Sequence, residues 1–277
     1  MENWKDAFQF VFARKELQGM WSRLHSLSTR GLGYGNWNPE ANGEFRLIEK
    51  CLAHCSKSGT DFSFFDVGAN EGDFSLHVRR MAPQSQIHCF EPNPHTHLRL
   101  ASRFEGDINT QIHNLGLSDH PGHMDLWEPA PTQGSNIASF LPEVFHEKEG
   151  LAQYSVETQT LDDFVAARGI AHITYLKIDV EGYEGAVLKG SETAISRGMI
   201  DLIHLEMNHH NCIAGLSIYK LAKMLDGYSI FKILPNGLYP LVSKESPYHE
   251  KIESYRLINL ACIRNGSPLL GALLNVH

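Results

Sequence analysis

No apolar run in this sequence approaches the roughly 20 residues a membrane-spanning helix requires, so no membrane span is expected. The first residues, MENWKDAFQFVFARKELQGMW, lack the basic start, unbroken apolar centre and small-residue cleavage site of a secretory signal, and a cytoplasmic protein is the expectation. Positive charge is also short: 24 Lys and Arg stand against 32 Asp and Glu, a formal net charge of −8. Without a basic field nothing gathers phosphate backbones, which argues against nucleic acid and for a small, neutral or weakly polar partner. The five cysteines, Cys51, Cys55, Cys89, Cys212 and Cys262, are odd in number and contain no C-x-x-C pair. They read as reduced core thiols rather than a disulfide framework or a zinc site. HEKEG, residues 146–150, lacks the second histidine of H-E-x-x-H, and no internal repeat or low-complexity segment is present.

The 277 residues, 42% of them hydrophobic, are enough for one large core. Residues 2–28 set Trp4, Phe8, Val11, Phe12, Leu17, Met20, Trp21 and Leu24 at three- and four-residue steps, the pattern of an amphipathic helix. Its polar face mixes both charge signs, so it is expected to pack on the main domain or on a second copy, giving a homo-oligomer, rather than lie on a membrane. STRGLGYGNWNPEANGE follows as a glycine- and asparagine-rich loop able to cover a ligand, with Tyr34 and Trp37 offering stacking faces to an acceptor. A helix near 43–56 completes an N-terminal helical extension and lid, residues 1–60, ahead of a main domain over 61–277.

From residue 62 on, apolar runs alternate with helical stretches. The expected strands are SFFDVGA, SQIHCFEP, TQIHNLGLS, ITYLKIDV, DLIHLEMN, SIFKIL and YRLINLACIRN; the helices include 73–82, 94–104, 161–168, 183–197 and 216–226. Such alternation builds βαβ crossovers, hence an α/β protein with a Rossmann-like, mostly parallel sheet covered by helices on both faces. Residues 120–160 break the rhythm with GHMDLWEP, GSNIASF and YSVETQTL, expected as short extra strands at the substrate edge.

The ligand of an open α/β sheet sits beyond the carboxyl ends of its strands. There the first strand runs into FFDVGANEGDFS, whose glycines are spaced G-x-x-x-G and whose loop carries Asp66, Glu71 and Asp73. A dinucleotide loop reads G-x-G-x-x-G and brings N–H groups to a pyrophosphate; an acidic loop repels one and suits S-adenosylmethionine, which carries an ammonium group and a positive sulfur. CFEPNP puts Glu91 at the second strand's tip, 23 residues after Gly68, where a carboxylate can hold ribose hydroxyls. NLGLSDH ends the third strand with Leu117 and Ser118 in reach of an adenine.

Together with TQTLDDF, YLKIDVEGYEGAVLKG and IDLIHLEMN, these segments resemble the FkbM family of class I S-adenosylmethionine-dependent methyltransferases, over residues 62–208. The resemblance implies a seven-stranded sheet with an antiparallel seventh strand, and O-methylation of a hydroxyl on a sugar, glycan or natural product. It further implies Asp66, Gly68, Asn70, Gly72, Glu91 and Ser118 as cofactor contacts, and Asp179 at the cofactor's methionine end or beside the acceptor.

Methyl transfer needs the acceptor oxygen positioned and its proton removed. The ends of the fourth and fifth strands, KIDVEG and HLEMNHHN, supply Asp179 and Glu206 as candidate proton acceptors, with His209 in the following loop. Glu181 follows Asp179 by two residues and is assigned to the acceptor side; Glu184 and Glu181 also suit a helix start. Asp179, Glu206 and Asn208 are an oxygen set of the kind magnesium takes in catechol methyltransferases, so a magnesium ion is a minority alternative. Two other functions remain open: an NAD-type oxidoreductase on a similar sheet, and a non-catalytic cofactor-binding subunit.

Overall fold

Short apolar runs alternating with helices set the architecture. The computed structural model describes residues 3–129, 137–145, 150–243, 253 and 255–274. Helices α1 (Asn3–Phe12), α2 (Gln18–Gly31), α3 (Pro39–Asn42) and α4 (Glu44–Ser58) precede the sheet. The first βαβ units follow as β1 (Ser63–Val67), α5 (Asp73–Met81), β2 (Gln86–Phe90), α6 (Pro94–Arg103) and β3 (Thr110–His113). Asn93 starts α6, its side chain accepting from the amides of His95 and Thr96, a standard N-cap.

The chain then leaves the main sheet. β4 (Gly116–Leu117), β5 (Gly122–Pro129) and β6 (Leu151–Gln159) form a small second sheet in the order β4-β6-β5. Two of the three extra strands expected in the insertion are therefore present; of GSNIASF, residues 134–136 lie outside the described residues, and Ser139 makes a single antiparallel bridge to Trp127.

After α7 (Leu161–Arg168) the main sheet resumes with β7 (Ile173–Ile178), α8 (Glu184–Lys189), α9 (Glu192–Ser196), β8 (Ile200–Met207), α10 (His209–Ile213), α11 (Ile218–Met224), β9 (Tyr228–Leu234), β10 (Gly237–Val242), β11 (Ile258–Arg264) and α12 (Pro268–Leu274). The helix expected over 183–197 is split at Gly190 and Ser191, where the chain passes against the turn after β4: a Cβ on Gly190 would lie 2.0 Å from the Ser118 carbonyl oxygen.

The main sheet has the order β10-β9-β11-β8-β7-β1-β2-β3. β1 pairs in parallel with β2 and β7, and β7 with β8, whereas β11 is antiparallel to both its neighbours. All seven expected strands are present, including the antiparallel seventh, but the third stops at His113: Gly116–Leu117 of the expected TQIHNLGLS belong to the small second sheet. An eighth, β10, extends the edge as a hairpin on β9, joined through Pro235 and Asn236. The Asn236–Gly237 pair is a strong hairpin signal, and the seven-strand expectation overlooked it. Strand order reverses at β1, which puts the crevice beyond the ends of β1, β2, β7 and β8.

Apolar residues fill both faces: Phe65, Phe90, Phe164 and Leu205 on one, Phe64, Tyr175, Leu202 and Ala261 on the other. The N-terminal extension finds neither of its two expected coverings, the main domain or a second copy, within the single chain. Its helical pattern breaks at a 3-10 turn over Lys15–Leu17, and its apolar face is not buried: Trp4 is 63% and Phe10 83% exposed. Phe8, Phe12 and Trp21 pack on one another, and the Trp21 indole N–H donates to the Phe12 carbonyl at 2.9 Å. The lid loop is fastened instead over β9 and β11: the Gly35 amide donates to the Leu257 carbonyl at 2.9 Å, and Lys232 lies 4.6 Å from the Tyr34 ring centre.

Candidate active site

β1 delivers the chain to its turn with no room for a side chain. Gly68 sits at φ 77°, and a Cβ on it would come within 1.9 Å of the Asp179 carbonyl oxygen, so only glycine lets the first loop cross the end of β7 this closely. Asn70 is also left-handed, φ 49°, a conformation asparagine tolerates better than most residues. Its amide donates to one Glu91 oxygen at 2.9 Å, and the Asn93 amide donates to the other at 2.8 Å. Burial pushes the Glu91 carboxyl up to about 7, against the lowering effect of those two N–H groups. Each oxygen keeps acceptor capacity for a hydroxyl donor. The Asn70 side-chain oxygen is buried with no hydrogen-bond partner.

Gly68, Asn70 and Glu91 line a cavity of about 330 Å³, within the size range of small-molecule sites. Asp179, Val180, Glu181 and Glu206 line it as well, with Leu126 and residues 138–140 of the insertion and Trp37 from the lid. Four residues assigned to cofactor or acceptor, and His209 assigned as a proton acceptor, are not in the lining. Asp66 is buried in β1 and accepts from the Ser75 hydroxyl at 2.7 Å; burial raises its carboxyl. A Cβ on Gly72 would meet Leu100 and Phe104 at 2.6 and 2.7 Å, so this glycine lets α5 start against α6. Ser118 is buried 3.4 Å from the Tyr183 hydroxyl. Tyr34 packs on Lys232, and His209 is exposed with its ring 4.1 Å from that of His210.

The acidic lining residues belong to an electrostatic cluster. Lys177, 4% exposed in the otherwise apolar β7, donates to an Asp179 oxygen at 2.7 Å and sits 4.3 Å over the Phe74 ring. Burial acts to neutralise it, and the charges of Asp179 and Asp66 overcome that and hold its pKa above the ordinary lysine value. Sequence reasoning missed this residue. One lysine in a run of apolar residues was the available signal, since a buried ammonium requires carboxylate partners.

Glu206, in β8, is pushed well above the ordinary carboxylate range by burial and then by the Asp179 charge. The loop between Asp179 and α8 is tied by Glu184, which is buried and accepts from the amides of Val180 at 3.0 Å and Gly182 at 3.3 Å and from the Asn211 side chain. Burial lifts its carboxyl to about 7. That brace holds Glu181 in a left-handed conformation, φ 52°, a strain common at functional sites. The Glu181 carboxylate meets His210 Nδ1 at 2.7 Å, and its carbonyl accepts from the Ser139 hydroxyl at 2.8 Å. His210, rather than His209, is thus the inward histidine.

Among the described residues no cluster of three or more His, Cys, Asp or Glu side chains is arranged to hold a metal ion. The Lys177 ammonium takes one Asp179 oxygen, at 2.7 Å. No described helix is long and apolar enough to cross a membrane.

The methyltransferase FkbM domain profile matches residues 66–228. The chain is similar to the 2-O-methyltransferase NoeI of Sinorhizobium fredii, 24% identical over 62% of this chain and 74% of that protein. It is 29% identical to the hexuronic acid methyltransferase AglP of Haloferax volcanii over 56% of this chain and 59% of that one. It is 32% identical to the 31-O-demethyl-FK506 methyltransferase FkbM of Streptomyces tacrolimicus over 47% of this chain and 59% of that one.

Proposed function

Given that this chain belongs to the FkbM methyltransferase family, we propose that it binds S-adenosylmethionine and methylates a hydroxyl of a sugar, glycan or other natural product. The observation that carries this reading is one cavity lined by two kinds of group. Gly68, Asn70 and Glu91 supply its close-approach turn and pinned carboxylate; Asp179, Glu181 and Glu206 supply its cluster of acid. The residues fit the cofactor in that Asn70, one of the cavity's lining residues, has a buried side-chain oxygen without a partner.

Glu91 holds the ribose hydroxyls, and Asp179 faces the methionine ammonium. Asp66, Gly72 and Ser118 act from behind, shaping the loops that meet the ligand. The cofactor supplies a methyl group on a positively charged sulfur. Trp37 and Glu181 orient the acceptor, and Asp179 or Glu206 takes its proton, a task worth about 10²–10⁴ in rate for a well-placed base. NoeI and FkbM are named for O-methylation and AglP for a sugar acid, which supports a hydroxyl acceptor on this class of molecule.

Thermal denaturation tests the cofactor. S-adenosylmethionine at about 100 times its Kd adds about 2.7 kcal/mol of stability and should raise Tm; NAD should not, because the carboxylates repel a pyrophosphate. Stabilisation by NAD alone would assign the cavity to an oxidoreductase.

A further inference from the structure

The acid cluster of the cavity holds more negative charge than its cations balance. Glu206 of β8 lines the cavity together with Asp179 and Glu181 of the loop after β7, and the charges of Lys177 of β7 and Glu44 of α4 act on it too. Each of these has its own partner. Lys177 is bound to Asp179 at 2.7 Å, with Asp66 of β1 also acting on it. Glu181 is bound to His210 at 2.7 Å. Glu44 has Asn42 and Asn259 as donors and His204 Nε2 at 3.3 Å. Asn259 is also the β11 residue paired across the ladder with Glu206. Glu206 itself has, among the described residues, only the Asn208 amide, at 3.3 Å. A half-buried carboxyl among like charges, with no cation of its own, favours the neutral form.

We propose that Glu206 carries a proton while the cavity lacks a cationic guest, releases it when the positively charged cofactor binds, and recovers one from the acceptor hydroxyl during methyl transfer. This rests on the S-adenosylmethionine reading. In that step the acceptor O–H bond breaks and its proton goes to a Glu206 oxygen; the acceptor oxygen forms the new C–O bond. The electron pair of the broken C–S bond stays on sulfur, which becomes uncharged. One positive and one negative charge vanish together, so the cavity's net charge does not change during chemistry. In a poorly solvated site that avoids leaving a lone buried charge, the expensive alternative. The proton of each methylation then leaves at the next cofactor-binding event, not with the product.

The test needs no acceptor. Calorimetry of S-adenosylmethionine binding to the full chain at pH 7, in buffers of different ionisation enthalpy, gives the protons exchanged. The wild type should release more than Glu206→Gln by about 0.5–1 proton per cofactor, with binding retained in both. Taking the difference cancels any proton taken up by the ligand's amino group. S-adenosylhomocysteine, identical but for the charged sulfonium methyl, should release clearly fewer protons from the wild type, a comparison that stands even if the variant does not fold. Equal release from the two ligands, or from the two folded proteins, overturns the proposal while leaving the methyltransferase reading intact. Absence of S-adenosylmethionine binding overturns both.

Discussion

The carboxyl end of the sheet and residues 3–31 break the same rule in opposite directions. Near the cavity the chain buries charge: Asp66, Glu44, Lys177, Glu91 and Glu184 are each under 9% exposed. In α1 and α2 it exposes apolar bulk, with Phe10 at 83% and Leu27 at 70%. The first violation is answered within the described chain, by Ser75, Asp179, the Asn70 and Asn93 amides, and the α8 loop. The second is answered, among the described residues, only by the Phe8–Phe12–Trp21 contacts. Compensated burial of charge fixes a site, whereas exposed apolar bulk leaves α1 and α2 uncovered in the single chain.

If the acid cluster is the chemical centre, its removal has the largest effect. Asp179→Asn and Glu206→Gln should each lower kcat by about 10²–10⁴, measured as methyl transfer to a hydroxyl acceptor. Normal turnover in both variants would move the base elsewhere, with His210 through Glu181 next in line. Lys177→Met should come second, since removing one partner of a buried ion pair costs about 3–5 kcal/mol. The loss should appear in denaturant unfolding and shrink when Asp179→Leu is added. An undiminished loss in the double variant would show that Lys177 contributes through packing, not charge.

Glu184 gives a pH-dependent version of the same contrast. Its carboxyl is raised from 4.5 to about 7 in the fold, so its contribution is fully present below the unfolded value and lost as pH rises through about 7. The wild type should therefore lose up to about 3 kcal/mol more than Glu184→Gln between pH 4.5 and 8. Unfolding curves at several pH values check this, the difference between the two proteins cancelling every other titrating group. Parallel stability profiles would mean that Glu184 is ionised and solvated despite its burial. A smaller effect is expected at the pinned carboxylate: Glu91→Ala should weaken S-adenosylmethionine at least about tenfold, roughly 1.4 kcal/mol. Unchanged affinity in a folded variant would remove Glu91 from the ribose.

Much of the fold was legible because strands buried on both faces are near-continuous apolar runs, as IDLIHLEM and INLACIR are. The cavity was legible wherever a residue's role follows from its place at a strand end, as for Gly68, Glu91, Asp179 and Glu206. Lys177 was not, because its significance lies in Asp66 and Asp179, which the sheet brings to it from β1 and the end of β7. Nor could neighbours be separated. His209 and His210 lie about 100° apart on a helix, and the cap formed by Asn208 and Asn211 determines which one meets Glu181. Likewise, an amphipathic pattern gives a helix face without its partner, so residues 2–28 imply a covering surface that the single chain does not contain.

The smallest effect on the fold should come from removing that unpartnered face. A chain lacking residues 1–24 keeps Thr29, whose carbonyl accepts from the Tyr34 amide at 3.0 Å, and so keeps the lid's anchorage. Because the deleted side chains are largely exposed, the loss should stay within about 1 kcal/mol, or about 2–4 °C in Tm for a domain of this size. Cofactor affinity should be unchanged. Self-association should not be: with a second copy as the surface that α1 and α2 cover, sedimentation should show the full chain associating at concentrations where the shortened one is monomeric. Phe10→Ser with Leu27→Ser should reproduce that shift without touching Tm, since both side chains are exposed in the single chain. A shortened chain that melts 10 °C lower, well beyond the expected few degrees, would make α1 and α2 part of the domain's own core and remove the contrast with the acid cluster.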